Sequence, residues 1–375
     1  MPHDPQAPDW QTLTHAYGPA GDVPGLLRSL AAGDSAAADE LSDLLVHQGS
    51  RYPATVAAVP FLIDTFAGAG VTARAAAYAV LADIKAVDRD PAPRRRTAGP
   101  TLAELAEDRS DRWVARLSEP ASAVPDDLDP WEDRALAAVA AGVPAYLTVL
   151  DHPEAALRIA AAHLLSAATP AAAQALADRL AAEQDPQVAA SLVLAAATTL
   201  DPALIPAIAR WHDHLHDLTR WSAAMALVYL ADEPDPALAR ELADLIGRPG
   251  SADEAEAWPM HPTPRDGALW ALATLVPGSI PGLPQLLAEP FYEYGADPRL
   301  LALLLSAVFP DGPPAEGTTA AELTRLQRDL IGFIVDGGIL DDEGFGPWHR
   351  VIAECNLPAG QAALAQFVGS KPGAR

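Results

Sequence analysis

Cysteine occurs once in the 375 residues, at Cys355, so an intramolecular disulfide is excluded and the composition suits a reducing compartment. Basic side chains are also scarce. Twenty-five Lys and Arg face 50 Asp and Glu, a formal net charge of −25, and that field repels a phosphate backbone. Nucleic acid is therefore not an expected partner. Long apolar runs are missing as well. The most apolar stretches, 135–150 and 188–200, are Ala-rich, the first is broken by Gly142 and Pro144, and neither reaches the roughly 20 strongly apolar residues of a membrane span. The start, MPHDPQAPDW, has no basic end and no apolar run, so it does not read as a signal peptide. A cytoplasmic protein without membrane contact is expected.

Strand patterning is almost absent, because β-branched alternation never persists for six residues. Catalytic signatures are missing too. There is no G-x-S-x-G, and Gly337-Gly338 is a lone pair rather than a phosphate-cradling loop. Glu354 beside Cys355 is expected to raise the thiol pKa and suppress a reactive thiolate.

What the chain does have is a phrase. A polar residue is followed by small residues three and four places on and an apolar residue at seven, with looser copies among them. It reads RAAAYAVL from Arg74, RIAAAHLL from Arg158, QVAASLVL from Gln187, RWSAAMAL from Arg220, RDGALWAL from Arg265 and RLLALLLS from Arg299, with another loose copy from Asp39. The anchors stand 35, 84, 29, 33, 45 and 34 residues apart. A spacing near 30–35 residues holds two helices of roughly 10–14 residues and two turns. Companion helices are predicted at 23–32, 55–67, 143–150, 171–183, 202–211, 236–246 and 280–288. Several start at Asp-Pro, as at Asp201-Pro202 and Asp235-Pro236, where Asp caps free amides and Pro gives up a hydrogen that had no partner. That placement is how a chain with 36 Pro residues remains helical. Much of the apolar half is Ala, which lets helices approach closely, and Leu supplies most of the core.

The expected fold is all-α: a right-handed α-α superhelix of about seven to eight helix pairs closed by a C-terminal helical cap. Residues 1–22 form an N-terminal cap, 23–87 the first repeats, 88–130 an irregular charged insert, 131–310 further repeats, and 311–375 the C-terminal cap. The insert holds Arg94–Arg96 as a solvated run and a possible polar helix at 101–117. A long acidic loop is placed at 247–264. One helix is predicted at 319–335, with two short helices after it.

The Asp-Pro…Arg-x-x-Ala-Ala-x-x-Leu phrasing, clearest at Asp151…Arg158, Asp185-Pro186-Gln187 and Asp297-Pro298-Arg299, resembles the short HEAT-like repeats of the phycobilisome-lyase type. The N-terminal residues His15-Ala16-Tyr17-Gly18, Asp22-Val23-Pro24, Leu26-Leu27, His47-Gln48-Gly49, Tyr52-Pro53-Ala54 and Ala57-Ala58-Val59-Pro60-Phe61-Leu62 resemble a module of uncharacterised bacterial HEAT-like proteins. The resemblance runs over residues 10–305, without the phrase between 75 and 133. It implies convex first helices and concave second helices, with anchors that pair along the stack. A ligand would then meet the second helices and the loops between pairs.

Candidate chemistry is local. Trp211-His212-Asp213-His214-Leu215-His216-Asp217 would put His212 and His216 one turn apart if the helix from Pro202 continued through it, as two metal ligands can stand. The alternative is a turn between repeats, with Asp213 or Asp217 as a cap and solvated histidines that contact a partner; no third ligand is identifiable, and no metal or cofactor is expected. His163, in AAAHLL, reads as a satisfied interior histidine. His47 reads as a cation at a helix end, and His15 with Tyr17 as a cap on the first repeat. Trp258 in the acidic loop, and Tyr292 and Tyr294 after Phe291, read as loop aromatics available to a protein partner. Trp113, Trp221 and Trp270 read as core.

The function expected is a non-enzymatic scaffold that binds a protein with a basic surface through an acidic concave face, by way of Trp211, His212, His214, His216, Trp258, Tyr292 and Tyr294. One special case is an immunity or inhibitor protein masking the basic site of a toxin or nuclease. The alternative class is a HEAT-like enzyme, a chromophore lyase or a DNA glycosylase, which the charge and the missing motifs disfavour.

Overall fold

The computed structural model describes residues 3–48, 50–85, 130–166, 172–199, 201–231, 235–246, 264–273, 298–309, 311–336 and 347–369. They are mostly helical and divide into two units, one up to residue 226 and one from 227 onward.

The first unit starts with α1 (Val23–Ala31), α2 (Ser35–Leu45), α3 (Pro53–Gly68) and α4 (Val71–Lys85). It continues with α5 (Pro130–Ala140), α6 (Val143–Val149), α7 (Ala155–Leu165), α8 (Ala173–Ala182), α9 (Pro186–Thr198) and α10 (Ile205–His212). The boundary between the units falls inside α11 (Asp217–Leu230). Start signals act as their chemistry requires. Asp34 accepts from the Ala36 amide, Asp185 from Gln187 and Val188, and Asp201 from Ala203, so each carboxylate satisfies amides the helix leaves open. Asp201 caps a 3-10 turn, Pro202–Leu204, rather than the α-helix itself, which begins at Ile205.

Proline is not confined to helix starts. Pro60 lies inside α3, where a missing amide costs up to about 3 kcal/mol. Its neighbours Val59, Phe61 and Leu62 are buried, and the packing of that turn offsets the loss.

Every copy of the phrase in the described residues lies on a helix: α2, α4, α7, α9, α11, and α13 and α14 below. In the first unit α2 packs on α4, α4 on α7 and α7 on α9. Their companions pack alongside: α1 on α2 and α3, α3 on α4 and α6, α6 on α7, and α8 on α9 and α10. The small residues sit in these contacts. Ala161, Ala162 and Leu165 of α7 and Ala190, Ser191 and Leu194 of α9 are all buried. Alanine contributes little transfer energy, so its value here is close approach between helix backbones.

Strands among the described residues are few and short, two antiparallel hairpins: β1 (Thr14–His15) with β2 (Gly18–Pro19), and β3 (Val46–His47) with β4 (Ser50–Arg51). Two-residue strands are too short to show alternation, which is why the pattern missed them. Gly18 at φ 141° supplies a conformation that a side chain would resist. The second hairpin corrects the reading of His47. Helix α2 ends at Leu45 and His47 lies in β3 beyond it.

The second unit holds α12 (Pro236–Ile246), α13 (Pro264–Ala273), α14 (Pro298–Val308), α15 (Arg325–Asp336), α16 (Pro347–Glu354) and α17 (Gln361–Val368). Here α12 packs on α13, α13 on α14, α14 on α16 and α15 on α17. The helix predicted at 319–335 is shorter, and the reason is a capping box: Thr324 N–H donates to Gln327 Oε1 at 2.8 Å while Gln327 N–H donates to Thr324 Oγ1 at 3.3 Å. Upstream, Thr319 and Glu322 close a separate turn. Two short helices do finish the chain, and Gly369 ends α17 in the left-handed region at φ 72°. No helix among the described residues is long and apolar enough to cross a membrane.

The expected insert at 88–130 and loop at 247–264 lie outside the described residues except for their last residues, Pro130 and Pro264, which begin helices; the expected helix at 280–288 lies outside them entirely.

Candidate functional site

The His-rich segment is a turn, not a continued helix. Helix α10 stops at His212, Asp213 (φ −83°, ψ 5°) leaves the helical region, and α11 starts at Asp217. His212 and His216 are therefore not one helical turn apart, and the two-ligand reading does not hold. Among the described residues no group of three or more His, Cys, Asp or Glu is arranged to hold a metal ion.

The turn is held by its own side chains. His214 Nδ1 accepts the His216 amide at 3.1 Å. Its ring lies 5.5 Å from that of Trp211, whose other neighbour is the Arg210 guanidinium 5.9 Å from the ring centre. Trp211 Nε1 is buried without a hydrogen-bond partner among the described residues. Asp217 pairs with Arg220 at 2.6 Å. What the sequence reading passed over is Leu215, 95 % exposed at the tip of the turn. Its signal was available: an apolar residue between two histidines, outside any helical period. Trp258, Tyr292 and Tyr294 lie outside the described residues, as do Trp113 and Phe291.

Neighbouring turns on the same edge are tied together. Arg158, at the start of α7, donates to Glu183 before α9 and to the carbonyls of His152 and Pro153. Arg179 adds a third bond to Glu183 at 2.7 Å and reaches Asp151 at 3.6 Å. Burial of Glu183 opposes its ionisation. The amide of Asp185, Arg158, the amide of Gln184 and Arg179 together outweigh that burial and bring the carboxyl down to about 2. Thr219 at the start of α11 donates to Pro186 O at the start of α9, and Arg210 to Leu180 O. Arg158, the phrase anchor among these arginines, thus makes its bonds within the fold.

At the N-terminal end, His15 is buried. It accepts the Tyr17 amide on Nδ1 and places Nε2 3.2 Å from Asp22, the residue that precedes α1. Tyr17, 65 % exposed, puts its hydroxyl 3.2 Å from His47 Nδ1. His15 and Tyr17 thus sit at the entry to the first helix, as read from sequence. Trp221 is buried, also as read, whereas the Trp270 side chain lies outside the described residues. Cys355 is buried, and burial first and Glu354 second push its thiol up to about 12.

His163 is half-buried, less interior than the sequence implied, with its Nδ1 2.9 Å from the Tyr78 hydroxyl. The chain that satisfies it was not visible in sequence. Tyr146, Phe66, Tyr78 and His163 contact one another in turn from α6 through α3 and α4 to α7.

One surface carries charge without pairing. On α2, Asp39, Glu40 and Asp43 are exposed, and on the adjacent α4 so is Asp83, which accepts from Ser42 Oγ at 2.6 Å. Among the described residues none of the four carboxylates has a cationic partner. Asp39 and Asp43 stand four residues apart, on one face of α2.

No family model matches this chain, and no curated protein matches it.

Proposed function

We propose that the chain is a non-enzymatic, cytoplasmic α-solenoid of HEAT-like repeats that binds a protein with a basic surface. The observation that carries this reading is the row of carboxylates, Asp39, Glu40, Asp43 and Asp83, without a cationic partner among the described residues, on adjacent second helices of the first two pairs. Like charges held close on a rigid surface raise the free energy of the unbound state, and a cationic partner relieves it. Three of the arginines, by contrast, are spent inside the fold. Arg158 and Arg179 neutralise Glu183, and Arg51 is buried on the carbonyls of Asp83 and Ile84. The side-by-side packing of the phrase helices supports the solenoid reading, and the acidic row favours binding on the face of the second helices. The exposed Leu215 turn supplies a further contact point in the same proposal.

The test is affinity capture from an extract of the source cell at about 50 mM salt, where screening is weak. The reading expects a defined polypeptide, recovered by the wild type and released as salt rises. It expects none with the D39N/E40Q/D43N/D83N variant. Recovery of the same polypeptides by both proteins would overturn it.

A further inference from the structure

In each phrase helix the residue after the anchor and the residue four further on share one face. Along the first unit that face changes character. On α9 it carries Val188 and Leu192, both buried, and on α7 Ile159 and His163, both half-buried. On α4 it carries Ala75 and Ala79, both exposed. Val71, four residues before Ala75, is 50 % exposed, and Asp83, four residues after Ala79, is exposed as well. Val71, Ala75, Ala79 and Asp83 therefore form one open stripe on α4, about 18 Å long at a helical rise of about 1.5 Å per residue.

The other faces of α4 are packed, by α1, α3 and α5 and, on its two flanks, by α2 and α7. Helix α2 brings Asp39, Glu40 and Asp43 to one flank, and the bond from Ser42 to Asp83 fixes those acids beside the C-terminal half of the stripe. Helix α7 brings Ile159 and His163 to the other flank, with His163 bonded to Tyr78 of α4. Alanine between longer side chains makes α4 the floor of a shallow trough. At the internal seams Ala lets helix backbones approach closely, and on α4 the same small residues face outward. A helix face turned only to water carries polar side chains, as α2 does with Asp39 and Asp43, whereas α4 shows Val71 and two alanines.

The two ends of the trough differ in charge. Arg74, the one cation in the first half of α4, is half-buried and donates back to the Ala69 carbonyl at 2.7 Å, so the Val71 end is apolar. At the other end the carboxylates add to the negative poles of α2 and α4. A complementary ligand is apolar over one half and cationic over the other. An extended segment would set its amides and carbonyls against alanine methyls, which offer them no partner, whereas a helix arrives with those groups already paired.

We propose that α4 is the floor of a docking trough for one amphipathic helix of the protein partner, with apolar side chains on Val71, Ala75 and Ala79 and Lys or Arg against Asp39, Asp43 and Asp83. The inference rests on the acidic-row reading above, and adds to it the partner's secondary structure, its length of about three turns and its polarity along α4.

The experiment is fluorescence anisotropy of the full chain with two labelled synthetic peptides at about 150 mM salt. The first is a helix of about 18 residues with Ala and Leu on one stripe and Lys confined to the last two turns. The second is its diastereomer with four central residues in the D form, equal in charge and composition but unable to form the helix. Wild type should bind the helical peptide at least about tenfold tighter than the diastereomer. The A75Q/A79Q variant roughens the floor without changing charge. It should still bind both peptides, with affinities within about twofold of each other. The D39N/E40Q/D43N/D83N variant should bind both at least about tenfold more weakly than wild type. Equal affinities of wild type for the two peptides, or a preference that A75Q/A79Q leaves intact, would overturn the trough while charge-driven binding stands. Undiminished binding by the acidic-row variant would instead overturn the reading beneath it, and a wild type that binds neither peptide contradicts both.

Discussion

Arg158 and Glu183 meet through two bonds, Nε to Oε2 at 3.0 Å and Nη2 to Oε1 at 3.2 Å, across 25 residues of chain. The pair joins the start of one phrase helix to the turn before the next. Its carboxylate is 2 % exposed, and it also receives Arg179 and the amides of Gln184 and Asp185. A contact so fully satisfied holds the edge of the helix array together, and its loss leaves several donors unpaired.

Glu183→Ala should therefore destabilise the first unit by about 2–4 kcal/mol, read from denaturant midpoints. The pH dependence has a definite sign. The folded carboxyl lies below its unfolded value of 4.5, so its contribution is present above pH 4.5 and is lost as pH falls through about 2. Wild type should lose stability over that window more steeply than Glu183→Gln.

The small residues of the phrase predict a packing asymmetry within one helix. Ala161 is fully buried between helices, whereas Ala156 of the same α7 is exposed. Ala161→Leu should cost about 1–3 kcal/mol by overpacking, and Ala156→Leu less than about 0.5 kcal/mol. Equal effects in thermal melts would contradict the packing role.

Arg51 is 1 % exposed and holds the carbonyls at the end of α4 through Nε and Nη2. A cation there meets the negative pole of the helix. Arg51→Met should destabilise by about 2–3 kcal/mol, with Arg51→Lys recovering less than half, because an ammonium cannot reproduce the fork. Chemical denaturation of the three proteins reads this directly.

Much of this was legible in the sequence because it is repetitive. The phrase located its helices, and Asp caps and helix-start prolines located their ends, since both depend on chemistry within four residues. The misses are non-local. The hairpin at His47 and Arg51 exists because Arg51 reaches α4, 33 residues on. The interruption at Thr324 was readable as a capping box, but the helical period of 319–335 concealed it. The candidate residues fared by the same rule. Trp221 was read from its apolar surroundings, whereas the end of α10 at His212 turned on a single residue, Asp213. The acidic row could not be read at all, because Asp83 joins Asp43 only through the packing of α4 on α2.

Leu215, at 95 % exposure, makes a separable prediction. Leu215→Ser should leave the unfolding midpoint within about 0.5 kcal/mol of wild type, since no apolar contact is lost. It should also weaken recovery of the captured partner. A destabilised variant would show that the turn packs elsewhere in solution.

The most direct test of charge-driven protein binding is the association rate of the captured partner as a function of ionic strength. For the wild type the rate should fall at least about tenfold between 50 and 300 mM salt, as steering by the acidic row is screened. The D39N/E40Q/D43N/D83N variant should start slower and respond only weakly to salt. Superimposable salt profiles for the two proteins would contradict the account.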